Sequence, residues 1–294
     1  MIHHSISTTT FAILLSSLFA GCSTTGHRAA DANESIVVQP LSEVQWTPLN
    51  PARGDNSPKA GTLWGDRSAN TATGFLVEFK EGFSSPPHIH NVSYRGIVIS
   101  GLIHNDDPNA EHMWMPPGSY WTQPKGEAHI TAASGTKNLA YIEIDEGPYL
   151  VHPTKQAFDS GERPINIDAS NIVWLDASNT NWISSKNSAD RSDGPQIAYL
   201  WGIPQEQQMS GILLKLPRDF EGKLRAYSAT AHAVVLQGRV EIRSQSKSHA
   251  QPLAMGGSFQ SKNGLNIHIS NNSEDQSILY IRTDSQLKIS NTAD

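Results

Sequence analysis

The 294-residue chain contains a single cysteine, Cys22, so no disulfide can close within it. Charge is sparse: 17% of residues are Asp, Glu, Lys or Arg, the net charge is −6, and no basic run or stripe is present. Phosphate backbones are bound by basic surfaces, so nucleic acid is excluded as a partner. Aromatic residues make up only 7%. Beyond the N-terminus no apolar run approaches the length of a membrane span. No long segment carries an apolar period of 3.6, which leaves room for few helices. Also missing are a G-x-S-x-G elbow, a P-loop, a dinucleotide-binding glycine pattern after a strand, and a cysteine nucleophile.

Turn formers, by contrast, are plentiful, with 22 Gly and 17 Pro. They separate short apolar runs such as Gly74–Phe79, Arg95–Ile99, Leu139–Ile144, Gly211–Leu216, Ala233–Leu236 and Ile278–Arg282. Short strands bounded by Gly, Pro, Asn, Asp and Ser predict an all-β fold of barrel or jelly-roll type.

The N-terminus reads separately. Phe11–Ala20 (FAILLSSLFA) is ten apolar residues long, which suits the core of an export signal. It runs into Leu18-Phe19-Ala20-Gly21-Cys22, which resembles the bacterial lipobox. That resemblance implies cleavage before Cys22, lipid on its thiol, and residence on the periplasmic face of the outer membrane. The alternative is an ordinary secretory signal cut nearby, or an uncleaved anchor. The small polar residues that follow suggest a flexible tether. The expected layout is a signal peptide over 1–21, a lipidated tether over 22–40, one barrel over 41–152, a linker over 153–168 and a second barrel over 169–290.

Two barrels are expected because the chain repeats itself. Leu63-Trp64-Gly65 recurs as Leu200-Trp201-Gly202. Gly74 and Gly211 each lie 10 residues past their Trp, and Gly101 and Gly238 each lie 37 past it. At the same spacing His88 corresponds to Arg225, His90 to Tyr227 and Tyr94 to Ala231; counted from Gly118 and Gly257, His129 corresponds to His268.

The chemistry concentrates between Gly82 and His129. His88 and His90 are two apart, which on a strand puts both imidazoles on one face. His129 follows the Pro124-x-Gly126 turn and so begins another strand. Three imidazoles from two strands make a transition-metal site, and imidazole suits Fe, Zn, Mn, Ni or Cu alike. The pattern Gly82…His88-x-His90…Gly101, then Gly118…Pro124-x-Gly126…His129, resembles the paired motifs of the cupin superfamily. The resemblance implies two tandem jelly-roll barrels, a bicupin. Tyr94 stands where that pattern has a glutamate ligand, and Ala133 where it has an asparagine. A three-histidine set remains, similar to the three-histidine iron dioxygenases of the superfamily.

Such a site leaves coordination positions open for substrate, water or oxygen. Tyr94 is the candidate catalytic residue, as a hydrogen-bond donor or weak ligand, with a packed aromatic as the alternative. Glu143 is either an inward substitute carboxylate or a structural residue. In the second repeat Arg cannot ligate a metal, so that barrel is expected to be structural, or Arg225 holds an anion in the old pocket. Two functions stand side by side: a metal-dependent dioxygenase acting on a small organic molecule, and a non-catalytic module holding a metal or small ligand. The candidate partners are that small molecule, the membrane through the lipid, and a second copy in a homodimer.

Overall fold

The computed structural model describes residues 36–291 apart from 185–192, 204, 206, 227–229 and 245–248. The signal sequence, Cys22 and Tyr227 therefore lie outside the described residues. Two β-barrels follow one another, as the repeat and the turn chemistry predict. The first is built on a seven-stranded antiparallel sheet in the order Ile165–Ile167, Tyr120–Gln123, Tyr94–Asp106, Ile130–Ile144, Thr73–Phe79, Lys59–Trp64, Trp46–Pro48. Its two longest strands bend past the sheet, so that Leu102–Asp106 pairs with Ile130–Ser134 on the opposite wall. Bridges from Ser84 to Ala132 and from His88 to His129 close that wall.

The second barrel has two six-stranded sheets. One contains Ala231–Gln237, Ser277–Thr283 and Ser210–Leu216; the other contains Glu221–Ala226, Leu265–Ser270 and Arg239–Ser244.

Alternation sorts the side chains into three cores. On Thr73–Phe79, Phe75, Val77 and Phe79 fill the first barrel, while Leu76 points out of it. On Ser210–Leu216, Ile212, Leu214 and Leu216 fill the second, while Leu213 points out. Leu76 and Leu213 meet in a third cluster between the barrels, with Trp64, Ile97, Tyr141, Val234 and Tyr280. These strands are therefore covered on both faces, which is why they read as continuous apolar runs. Burial of each such side chain contributes roughly 1.5–3 kcal/mol.

The repeated residues are those of this inter-barrel face. Trp64 Nε1 donates to Tyr141 Oη at 3.2 Å, and Trp201 Nε1 donates to Tyr280 Oη at 2.9 Å. A Cβ on Gly74 or Gly211 would collide with those Trp and Tyr atoms, so glycine is required at both positions. Gly101 and Gly238 take positive φ of 75° and 77° at equivalent turns, where only glycine is unstrained.

Each barrel also borrows a strand. Val37–Gln39, placed in the tether by the sequence, pairs with Ser258–Ser261 of the second barrel. Ile165–Ile167, placed in the linker, pairs with Tyr120–Gln123 of the first. Strands of three residues flanked by polar chain carry no periodicity to betray them, so both segments look structureless in sequence.

Candidate metal centre

His88–His90 is a three-residue strand paired with Val151–Pro153, and Ile89 turns away from its two histidines into buried space. His88 and His129 exchange both backbone hydrogen bonds, N to O at 3.1 and 3.0 Å. That reciprocal pair sets the third imidazole beside the first. The Pro124–Gly126 turn is tied back to the same strand by Gly126 N donating to His90 O at 2.9 Å. One ring nitrogen from each of His88, His90 and His129 falls within 4.8 Å of the other two. Bonds from imidazole to a first-row ion are about 2.0–2.1 Å, so one ion nearly spans that gap.

The other ring nitrogens are already committed. Nδ1 of His88 meets Pro86 O at 2.9 Å, Nδ1 of His90 meets Leu150 O at 2.9 Å, and Nδ1 of His129 meets Glu127 O at 3.2 Å. A carbonyl only accepts, so each Nδ1 carries the proton and each Nε2 presents a lone pair. Burial holds His129 down to about 3, with His88 adding to the effect. His90 is pushed well below its ordinary value by burial, then by His129 and His88; His88 is lowered too, chiefly by burial and slightly by Arg53. All three rings are therefore neutral at pH 7, the protonation state a ligand needs. The donor set fits a transition metal.

Tyr94 lies at the wall of this site. Its hydroxyl donates to Asn105 Oδ1 at 2.8 Å and sits 3.4 Å from His129 Nε2. Asn105 Oδ1 also accepts from Thr131 Oγ1 at 2.8 Å, and Asn105 Nδ2 donates to Gln123 Oε1 at 2.8 Å. Gln123 Nε2 then reaches Glu127 O at 3.3 Å, the carbonyl that holds His129. Burial raises the Tyr94 phenol, so it remains a neutral donor.

Two residues of this site escape a reading of the sequence. Tyr149 stacks on His90 at 4.3 Å and 25°, and its hydroxyl donates to His90 Nε2 at 3.1 Å. Arg53 stands at the rim, its guanidinium 5.6 Å from the ring of Phe83. Neither belongs to a spacing pattern, because each comes from a loop outside the histidine strands. A cavity of about 120 Å³ opens between this rim and His88 and His90. Val77, Phe79, Trp121 and Ile142 form its apolar wall, and among the described residues no Asp or Glu lines it.

Two open alternatives are decided, at Glu143 and Arg225, and one correspondence drawn from spacing is corrected. Glu143 does not face the histidines: Ala140, Ile142 and Ile144 occupy the inward positions of its strand, and Glu143 is turned to the inter-barrel face. There it accepts from Tyr280 Oη at 2.8 Å and from Tyr141 Oη at 3.1 Å and pairs with Arg282 at 3.3 Å. In the second barrel, Leu224 pairs with Ile267 as His88 pairs with His129. Leu224, Ala226 and Ile267 lie in the barrel core, and so does Ala231, the counterpart of Tyr94. Arg225 and His268, which spacing matched to His88 and His129, stand one residue out of phase on the opposite face. A shift of one residue flips every side chain across a sheet. The inward ligand positions of the second barrel are thus apolar, and Arg225 has no old pocket to enter.

Residues 37–290 match the family model described as "Domain of unknown function (DUF4437)". No match is found among curated proteins. Solved structures with a similar fold include a "putative dioxygenase" from Nostoc punctiforme, with TM-score 0.60, 13% identity, and coverage of 85% of this chain and 83% of that one. They also include oxalate decarboxylase from Lactobacillus farciminis in a formate complex, with TM-score 0.54, 10% identity, and 85% and 86% coverage. AerE from Microcystis aeruginosa has TM-score 0.53, 10% identity, and 84% and 97% coverage. At such identities the likeness concerns the fold, which is that of the tandem cupins.

Proposed function

The chain belongs to the DUF4437 family, and we propose that its first barrel holds one divalent transition metal on His88, His90 and His129 and uses it to oxygenate a small organic molecule. One observation carries this reading: three neutral imidazoles, each with Nδ1 tied to a backbone carbonyl, bring a ring nitrogen of each within 4.8 Å of the other two, and at His90 an ion would displace the Tyr149 hydroxyl from Nε2. The ion would supply open coordination positions and, if it is Fe(II), a place for substrate and O₂ side by side. A dioxygenase puts both oxygen atoms into its product, so it needs no external reductant and no carboxylate base. The acid-free lining suits that chemistry better than metal-assisted hydrolysis. Within this reading Tyr94 is the catalytic residue. Its neutral hydroxyl would turn its single proton from Asn105 Oδ1 toward whatever binds beside His129.

The fold of the Nostoc punctiforme protein is in keeping with this assignment but does not dictate it. The second reading is a non-catalytic binding module, favoured by the lack of any acid or base besides Tyr94 and Tyr149 around the histidines. Export and lipidation at Cys22 would place either activity on the periplasmic face of the outer membrane.

Elemental analysis of untagged protein should give about one first-row metal per chain, falling to background in His88→Ala and His129→Ala. Fe(II)-loaded protein should consume O₂ with its substrate, and Tyr94→Phe should slow that uptake while keeping the metal. A full metal complement with no O₂ uptake across a broad panel of small molecules would favour the binding module. Equal metal in wild type and both His variants sinks the site itself.

A further inference from the structure

Arg53 differs from several of the other arginines of this chain. Arg95 and Arg282 are ion-paired with Glu143 and Asp145, and Arg163 is ion-paired with Asp159. The Arg53 guanidinium makes no ion pair or hydrogen bond to any described residue; it lies only against the Phe83 ring. The backbone that carries it is held in place. The turn Pro51–Asn56 that carries it is locked by Asn50 Oδ1 accepting from Ala52 N at 3.1 Å and by Arg53 N donating to Asn50 O at 3.0 Å. The loop is tied at its base by Asn50 N donating to Ser57 Oγ at 2.8 Å and Leu49 N donating to Pro58 O at 2.7 Å.

Arg53 shares a cavity with His88 and His90, and among the described residues the lining offers it no counter-charge. A rim with one guanidinium and, among the described residues, no carboxylate favours an anion. A guanidinium fork matches a carboxylate through two parallel hydrogen bonds. The remaining wall is apolar, set by Val77, Phe79, Phe83, Trp121 and Ile142. A cavity of about 120 Å³ suits a compact body of one ring or a short branched chain. Arg53 is the one guanidinium or ammonium group among the described lining residues, so the rim itself matches one carboxylate.

We infer that the ligand of this cavity is a small monocarboxylate with an apolar body, its carboxylate held by Arg53 at the rim and its far end presented to the histidines. The role of the far end rests on the metal reading above; the grip of Arg53 does not. Arg53 is thus a specificity-determining residue, selecting an acid over its neutral amide before any chemistry begins.

The test is calorimetric titration of the full chain, loaded with redox-silent Zn(II), using benzoate, phenylacetate and 3-methylbutanoate, each against its amide, with zinc per chain measured on the same samples. At least one acid should bind tenfold or more tighter than its amide and lose affinity as salt rises. Arg53→Gln should weaken that acid at least tenfold and erase the preference, and Arg53→Lys should restore part of it. Because Arg53 sits on a part-exposed loop, these variants should keep the far-ultraviolet spectrum and zinc content of the wild type. The inference is overturned if no acid outbinds its amide, if Arg53→Gln leaves the preference intact, or if phenyl phosphate binds tighter than every acid. An Arg53-dependent preference in protein that takes up no zinc would sink the metal reading alone. Full zinc with no Arg53 dependence would sink this inference alone.

Discussion

At the scale of single residues, the controlling quantity is which groups are kept neutral by burial. The three site imidazoles are one case, and His232 on the inter-barrel face is another. Its ring stacks on Trp64 at 4.1 Å and 16°, and its pKa is held down to about 4, by burial first and then by Arg282 and Lys262. In the unfolded chain the same ring titrates near 6.5. Between those values the unfolded state takes up a proton that the folded state refuses, so stability falls as pH drops from about 6.5 to 4 and is unaffected above that window. The shift corresponds to roughly 3 kcal/mol. His232→Phe keeps a stacked ring and removes the proton. Urea unfolding of chelator-treated protein at pH 7.5, 6 and 4.5 should therefore show a shallower loss of stability for the variant than for wild type. Parallel loss in both proteins would mean that His232 plays no part. The residue scale is also where the sequence is most informative about chemistry. His88, His90 and His129 are legible because a strand period of two and a proline–glycine turn translate spacing into direction. Tyr149 and Arg53 are not, because loops have no such period.

At the scale of elements, phase decides what spacing cannot. His88 and Arg225 are equally far from their tryptophans, yet one points into a barrel and the other out of it. Loops absorb single-residue differences without visible trace, whereas a strand converts each into a change of face. Glu143 is obscured for a related reason: with Leu139–Ile144 buried on both faces, hydrophobicity gives no clue to which face is inward. The exchanged strands follow the same logic, since their partners are distant in sequence and their own residues few. The exchange has a measurable consequence. Ile36, just before Val37–Gln39, is buried in the core of the second barrel although it precedes the whole first barrel in sequence. Ile36→Ala should cost about 2–4 kcal/mol, as for other buried isoleucines cut to alanine. Hydrogen exchange should locate the loosening in Ala231–Gln237 and Ser258–Ser261, the strands beside the exchanged one. Loosening confined to the first barrel would contradict the pairing.

At the scale of the whole molecule, the two repeats form an internal pseudo-dimer whose shared face has diverged in charge. Tyr141 and Tyr280 are equivalent and remain identical. Glu143 and Arg282 are equivalent and have become opposite, and they meet at 3.3 Å with both side chains almost wholly buried. Arg95 and His232 are equivalent as well, and each covers the tryptophan of the other barrel, Arg95 at 3.7 Å from the Trp201 ring. A symmetric pair of like charges here would repel in a dry interface. Opposite charges on one chain bind the halves and fix how they meet. A buried pair of this kind adds little compared with apolar residues of the same shape, but removing one partner strands the other charge at a cost of about 3–5 kcal/mol. Glu143→Leu leaves Arg95 and Arg282 sharing only Asp145, and Arg282→Leu leaves Glu143 with Arg95 alone. Each single change should therefore destabilise the protein strongly. The double change should cost less than the sum by at least about 1 kcal/mol, the coupling expected for directly interacting charges. Because Glu143 is turned away from the histidines, metal content per folded chain should be the same in all three variants. A purely additive double variant would show that the two charges do not act on each other, and loss of metal in Glu143→Leu alone would return that carboxylate to the site.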